Sequence, residues 1–342
     1  MKRFINKIYD EFKRFIKENY KGIIFLILFT CFCFYDTGYS IYRPGGTIDA
    51  SARVNGENIY ESKGTFNMAY VSMMKGRLPF YLLAKVMPNW ELIKNESFTI
   101  NNAENIDDVM ARDTLEYKEA LSNAMFVAFN AANVPYEINS SLYYVLYKTE
   151  KNDSNLKIGN EVISYDDNRF KDTKSFIEYI NSKKVGDKIK IKYLDGTKEK
   201  ETSTTIYQEK DKLYVGLSIL NLIDIKSDYN IKVETKGSES GPSGGFITAL
   251  AIYNALTEKD ITNGKKIVGT GTISLDGKVG EIGAIEYKLA AAVNKKADIF
   301  LCPKENYDAA IKYAKKQKYD IIIKDIENFA EAIDYLSSLE GE

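Results

Sequence analysis

"KGSESGPSGGFITALAIYNAL" (residues 236–256) runs from a loop of small residues directly into an apolar helical stretch. Ser243 follows Pro242 and is flanked by Gly241, Gly244 and Gly245, residues that let another backbone approach closely. Two readings compete for this serine. At a helix start a serine is commonly a cap, its hydroxyl accepting from an unsatisfied backbone N–H. The same position suits a nucleophile, because those N–H groups and the helix dipole favour negative charge on a developing oxyanion.

A nucleophilic serine needs a base, and the 342-residue chain contains no histidine. That count excludes Ser-His-Asp and Cys-His chemistry and every zinc site that requires imidazole. Carboxylates and lysines remain, and a lysine serves only where burial or neighbouring positive charge keeps its amine neutral. Lys288 stands out, in "GTGTISLDGKVGEIGAIEYKLAAA" (269–292), where Leu289 and three alanines follow it. Gly280 and Gly283 would let its helix approach another backbone. The plain alternative is a helix lysine stretching past alanines to solvent.

Together the two segments resemble the proteolytic domain of the Lon family, whose serine motif reads roughly DGPSAG. The resemblance puts the nucleophile on Ser243 and the general base on Lys288. It puts Thr270 where a hydroxyl helps orient that lysine. It implies oxyanion donors in the backbone N–H groups of Ser243 and Gly244, and neither metal nor cofactor. "ADIFLCPKEN" (297–306) resembles the strand and P-x-x-N that follow in that family. Ala284 replaces the second glycine of the usual pair. Ser240 stands where the family has an acid, with Glu239 adjacent. "GTISLDGKV" (271–279) is no nucleotide site: five residues separate Gly271 from Gly277 where a P-loop needs four, and Val279 cannot hold magnesium.

Further upstream, "IGNEVISYDDNRFKDTKSFIEYINSKKVGDKIKIKYLDGTKEKETSTTI" (158–206) resembles the second half of a PDZ domain. Gly159 keeps that family's glycine and Asn160 replaces its aspartate. PDZ domains add an extended peptide as a strand beside a Gly-rich loop. Residues 147–157 hold no glycine, so a peptide-binding module and a spacer or lid stand as equal readings. The element order expected at 136–209 is strand (142–148), strand (161–165), helix (173–183), strand (188–194), a turn at Asp195-Gly196, and strand (199–207).

The N-terminus has its own character. Residues 1–21 hold seven Lys/Arg against three acids, and no charge follows in "GIIFLILFTCFCFY" (22–35). Fourteen residues are short for a spanning helix, which needs about 20. Extension to Tyr42 supplies the length, with Tyr35, Tyr39 and Tyr42 as interface anchors. An uncleaved signal anchor is favoured over a cleaved signal peptide, since no A-x-A-like site follows. The basic segment then stays in the cytoplasm, in a single-pass cell-membrane protein whose catalytic domain is extracytoplasmic.

The expected fold class is α/β (α+β). Its parts are a cytoplasmic basic segment (1–21), a transmembrane signal anchor (22–42) and an extracytoplasmic N-terminal region (43–135). A PDZ-like domain (136–209) and a Lon-like proteolytic domain (210–342) follow. Within 43–135, Phe66, Met68 and Tyr70 alternate as on a strand, 78–90 reads as a Pro-bounded short helix, and 106–132 has helical periodicity. Net charge is −1, which gives no general attraction to nucleic acid. Cys31, Cys33 and Cys302 show neither metal spacing nor a disulfide framework.

The order of modules resembles the ATP-independent, membrane-anchored Lon-like proteases of Gram-positive bacteria. That implies a serine endopeptidase with a Ser-Lys dyad, acting on unfolded or flexible extracytoplasmic protein segments. Its partners would be protein or peptide substrates and the bilayer, without nucleotide, and self-association is compatible with the rings many Lon-type domains form. The alternative is a catalytically inactive PDZ/Lon-like scaffold that binds exported proteins.

Overall fold

The computed structural model describes residues 2–87, 89–100, 104–170 and 173–339. Pro88, expected to bound the 78–90 stretch, lies outside them. Two compact units result, the smaller from residues 1–43 with 72–97, the larger from 44–71 with 98–342.

In the smaller unit a single helix, Lys2–Phe34, runs through the basic segment and the apolar run. It stops before Asp36, where Thr37, Tyr39, Ile41 and Tyr42 favour extended backbone and the strand Asp36–Asp49 begins. That strand pairs antiparallel with Glu91–Lys94, and a short helix, Leu78–Ala84, carries Pro79 in its first turn. The expected 22–42 span is therefore corrected. Its helical part ends at Phe34, and no helix among the described residues is long and apolar enough to cross a membrane. The apolar turns from 22 to 34 rise only about 20 Å, against a hydrocarbon core of about 30 Å.

The larger unit is built on parallel strands. Ile299–Pro303 lies between Lys266–Gly269 and Ile322–Ile326, and Lys266–Gly269 also pairs in parallel with residues 65–68. All five residues of Ile299–Pro303 are buried, as expected of a strand covered on both faces. Alternation sends Phe66, Met68, Ile267, Ile299 and Leu301 to one face, under the helix Gly245–Leu256. Ala69, Val268, Phe300 and Cys302 go to the other face, under Ile285–Asn294 and Lys304–Gln317. Phe66 and Met68 meet the core as expected, whereas Tyr70 is exposed. Beyond Lys266–Gly269 a separate short strand, Thr272–Ile273, forms a hairpin with Val279–Gly280.

The helix Ile106–Ala131 covers the first face beside Gly245–Leu256. Asn105 caps it, accepting from the Asp107 and Asp108 N–H groups, while its own N–H donates to Asp108 Oδ2 at 3.1 Å. Ala120, Ala124 and Ala128 are buried on it, and such small side chains let helices approach closely.

A five-stranded antiparallel module is inserted after that helix, in the order Leu217–Lys226, Glu137–Lys148, Glu161–Tyr165, Lys188–Asp195, Lys198–Thr205. The hairpin turn at Asp195-Gly196 forms as expected, with Gly196 at φ 64°. Asn160, standing for an aspartate, accepts from the Lys157 N–H at 2.8 Å through its side-chain oxygen. Leu217–Lys226, within the 210–342 stretch expected to form the Lon-like domain, instead runs hydrogen-bonded along Glu137–Lys148, while Lys212–Tyr214 pairs with Tyr207–Glu209.

Helix Ile285–Asn294 is entered through Ala284 in the left-handed region, φ 58° and ψ 42°. A Cβ costs roughly 1–2 kcal/mol there, which is the physical reason for a glycine at this place. Ala284→Gly should raise unfolding stability by about 1 kcal/mol in urea titration.

Candidate active site

Gly241 takes φ 82° and ψ 147°, and its N–H donates to the Asp113 carbonyl of the long helix at 2.8 Å. Pro242–Gly244 then forms one 3-10 turn that leads into Gly245–Leu256. Close packing dictates the glycines. A Cβ on Gly244 would stand 2.0 Å from Met68 Sδ, and one on Gly245 would stand 2.9 Å from Ile273 Cγ2. The N-cap residue of the helix is Gly244, with no side-chain cap. The Ser243 hydroxyl therefore does not do the work of a cap, and the structural reading of this serine fails.

The two helices lie on opposite faces of the sheet and meet at the C-terminal end of Lys266–Gly269. Thr270 stands there. Its Oγ1 donates to the Ser243 carbonyl at 3.1 Å and accepts from Lys288 Nζ at 3.2 Å. The Gly271 N–H donates to the same Ser243 carbonyl at 2.8 Å, and the Phe246 N–H returns to the Gly271 carbonyl at 3.1 Å. Thus the strand exit is stitched to the serine turn on one side and touches the lysine on the other. No hydrogen bond joins the Ser243 hydroxyl to the Lys288 amine among the described residues.

Lys288 is only 3 % exposed, so the alternative of a lysine reaching solvent is overturned. Ile285, Leu289 and Ala292 of its own helix are buried around it, and no carboxylate pairs with it among the described residues. Burial lowers its pKa from 10.5 to about 8. At pH 7 roughly a tenth of the population then carries a neutral amine, against well under a thousandth for an ordinary lysine.

Asn306 fixes the approach to that helix. Its side chain accepts from the Ile282 N–H at 2.9 Å and donates to the Ile282 carbonyl at 2.9 Å. Gly280 sits against Thr272, where a Cβ would lie 2.5 Å from Oγ1, whereas Gly283 faces open space and gives no close approach.

Ser240 and Glu239 differ in their surroundings. Ser240 is exposed. Glu239 accepts from Arg53 Nη1 at 2.7 Å, the Tyr117 hydroxyl at 2.8 Å and the Lys236 N–H at 3.0 Å. Burial alone would raise its pKa, but these donors outweigh it and hold the carboxyl below its ordinary value. Arg53 and Tyr117 escaped the sequence reading because they lie far from the serine along the chain, with no local motif to mark them.

This arrangement agrees with the family comparison. Residues 226–338 match the Lon protease (S16) C-terminal proteolytic domain, and residues 145–206 match the PDZ domain. The chain carries a Lon-type serine-peptidase domain and a PDZ domain. Lon protease 2 of Bacillus subtilis (strain 168) is 34% identical over 121 residues, covering 34% of this chain and 21% of that protein. Lon protease 2 of Borreliella burgdorferi is 29% identical over 137 residues, covering 37% of this chain and 17% of that protein. The chain thus spans about a fifth of the length of these relatives. The PDZ domain of an SdrC-like protein from Listeria monocytogenes is 30% identical, covering 25% of this chain and 93% of that one, with a TM-score of 0.22.

The PDZ module holds a cleft of about 1190 Å³ that neither Ser243 nor Lys288 lines. Phe176, Ile177 and Ile180 of the helix Thr173–Asn181 wall one side, and Leu217 and Ile219 of the edge strand wall the other. Gly216, at φ 69°, lies at its rim, where a Cβ would stand 2.5 Å from Thr149 Oγ1. Residues 147–157 hold no glycine, and the glycine turn comes instead at Gly216, directly before the edge strand. Asn221 lines the cleft, and its buried amide oxygen has no hydrogen-bond partner.

A buried neutral lysine has a stability consequence. Between about pH 8 and 10.5 the unfolded chain binds a proton that the folded chain does not, so stability rises with pH across that window. Below it the full cost is present. Lys288→Met should therefore stabilise the protein at pH 7 by up to about 3 kcal/mol. Urea titrations in a pH series should show that gain shrinking above pH 8.

Proposed function

We propose that the protein is a membrane-anchored, ATP-independent serine endopeptidase in which Ser243 is the nucleophile and Lys288 the general base. One observation carries the reading: a lysine buried without a counter-ion, its Nζ 3.2 Å from a threonine hydroxyl that itself bonds the Ser243 carbonyl. A fold gains nothing from burying such an amine, whereas a base acting near neutral pH requires it.

In the reactive complex the Ser243 hydroxyl comes within about 2.6–3.2 Å of Lys288 Nζ. The neutral amine takes the hydroxyl proton as Ser243 Oγ attacks the peptide carbonyl. Backbone N–H groups of Ser243 and Gly244 receive the oxyanion at the helix entrance. Lys288 then gives its proton to the leaving amine, and the acyl group remains on Ser243. Water repeats the sequence, losing a proton to Lys288, which passes it to Ser243 Oγ as the acyl bond breaks and the carboxylic acid leaves. Thr270 orients Nζ throughout. Glu239, through Arg53 and Tyr117, holds the preceding loop in place.

The cleft in the PDZ module supplies the second half of the proposal. An extended segment would add beside residues 217–221 of the edge strand, with apolar side chains on Phe176, Ile177 and Ile180. The unpartnered Asn221 oxygen offers it an acceptor. Substrates would be unfolded or flexible protein segments, because a chain must be extended both to add to a sheet and to present its peptide bonds. The apolar turns after Lys21 would hold the protein to the cell membrane.

The missing bond between the Ser243 hydroxyl and the Lys288 amine favours a second reading, an inactive scaffold. Full-length protein and an unfolded casein substrate without ATP separate the two. Wild type should cleave, while Ser243→Ala and Lys288→Ala should each lose at least about a hundredfold in rate with circular dichroism unchanged. Equal cleavage by all three would remove the dyad, and no cleavage by any would favour the scaffold.

A further inference from the structure

We infer that the basic N-terminal half of the Lys2–Phe34 helix is a lipid-docking surface, lying flat on an anionic membrane rather than passing through it. At 100° per residue its positions from 4 to 21 divide into two halves. Phe4, Tyr9, Phe12, Phe15, Ile16 and Tyr20 fall within one half, and all six are exposed. Lys13, Arg14, Lys17 and Lys21 fall in the other, together with Asp10, Glu11 and Glu18. Asn19, the polar residue within the apolar half, turns its amide back onto the Phe15 carbonyl at 2.9 Å.

Six large apolar side chains in a stripe demand a cover, and the charge pattern says what the cover is. Residues 1–21 carry seven Lys/Arg against three acids in a chain of net charge −1, so the remainder of the protein is net acidic. A helix with an apolar half and a basic half matches the two layers of an anionic bilayer surface. Its rings sit at the acyl boundary, and its lysine and arginine heads reach the headgroups. The stripe is continuous with the wholly apolar turns that follow, where Ile24, Phe25, Leu26 and Leu28 are exposed. Gly22 marks the change from two-sided to all-round apolarity and has nothing within 4 Å of a built Cβ. The inference does not depend on the peptidase reading, since it concerns immersion in lipid and not cleavage.

The test uses the full chain, with Cys31 and Cys33 replaced by serine and buried Cys302 retained, reconstituted into vesicles. A polarity-sensitive fluorophore is placed singly through Phe12→Cys, Phe15→Cys, Arg14→Cys or Lys17→Cys. In vesicles of phosphatidylcholine with a quarter phosphatidylglycerol, labels at 12 and 15 should shift to the blue and be quenched by shallow lipid nitroxides. Labels at 14 and 17 should keep water-like emission. The fraction of immersed label should drop severalfold in phosphatidylcholine alone, and with Lys13→Glu and Lys17→Glu combined. Deep quenching of all four labels would show a spanning helix and overturn the inference, as would water-like emission from all four. The same protected pattern without lipid would assign the stripe to a second copy of the chain, and equal immersion in both vesicle types would remove the anionic surface. Either result overturns it.

Discussion

The hydroxyl of Thr270 is the point on which the catalytic unit depends. It stands where the central parallel strand runs out, and it joins the serine turn on one face to the lysine on the other. One bond holds the carbonyl of the serine turn and another receives the lysine amine. Parallel α/β sheets place their functional groups beyond the carboxyl ends of the strands for this reason. There the helices from both faces open toward a common space, while the core beneath stays packed. Serine and lysine therefore come from different layers, and a single strand end sets their spacing.

The electrostatics follow from the packing. Lys288 is buried and no carboxylate pairs with it among the described residues, so desolvation lowers its pKa. The ion pair of Glu239 with Arg53 is placed on the loop before the serine. A carboxylate beside Lys288 would hold it protonated and remove its use as a base. Charge thus serves to fix the loop, while burial keeps the Lys288 pKa low. Burying that lysine costs stability, which the close packing of Gly244 and Gly245 against Met68, Ile273 and Ala120 must offset.

The parts of this site that were legible in the sequence are those whose physics is local. Glycines around Ser243 and alanines after Lys288 show within short windows, whereas Thr270 is marked only by the resemblance to the Lon family. What stayed hidden is contact between distant segments. Residues 65–71 complete the sheet next to Lys266–Gly269, yet nothing in their alternation names that partner. Arg53 and Tyr117 reach Glu239 across more than a hundred residues. The edge strand of the PDZ module was assigned to the wrong neighbour because chain order and sheet order differ there. At the N-terminus hydropathy fixed where the apolar run begins, but the β-forming residues after Asp36 end the helix sooner than length alone required.

The central claim is that Lys288 activates Ser243, and covalent capture tests it most directly. A fluorophosphonate that acylation-type serines attack would be added to wild type and Lys288→Met from pH 6 to 10, and the modified peptide identified by mass spectrometry. The account predicts modification at Ser243 alone, at a rate that climbs as Lys288 loses its proton near pH 8 and levels above it. It predicts no such rise in the variant. Modification at another residue, or the same pH profile with and without Lys288, would contradict it.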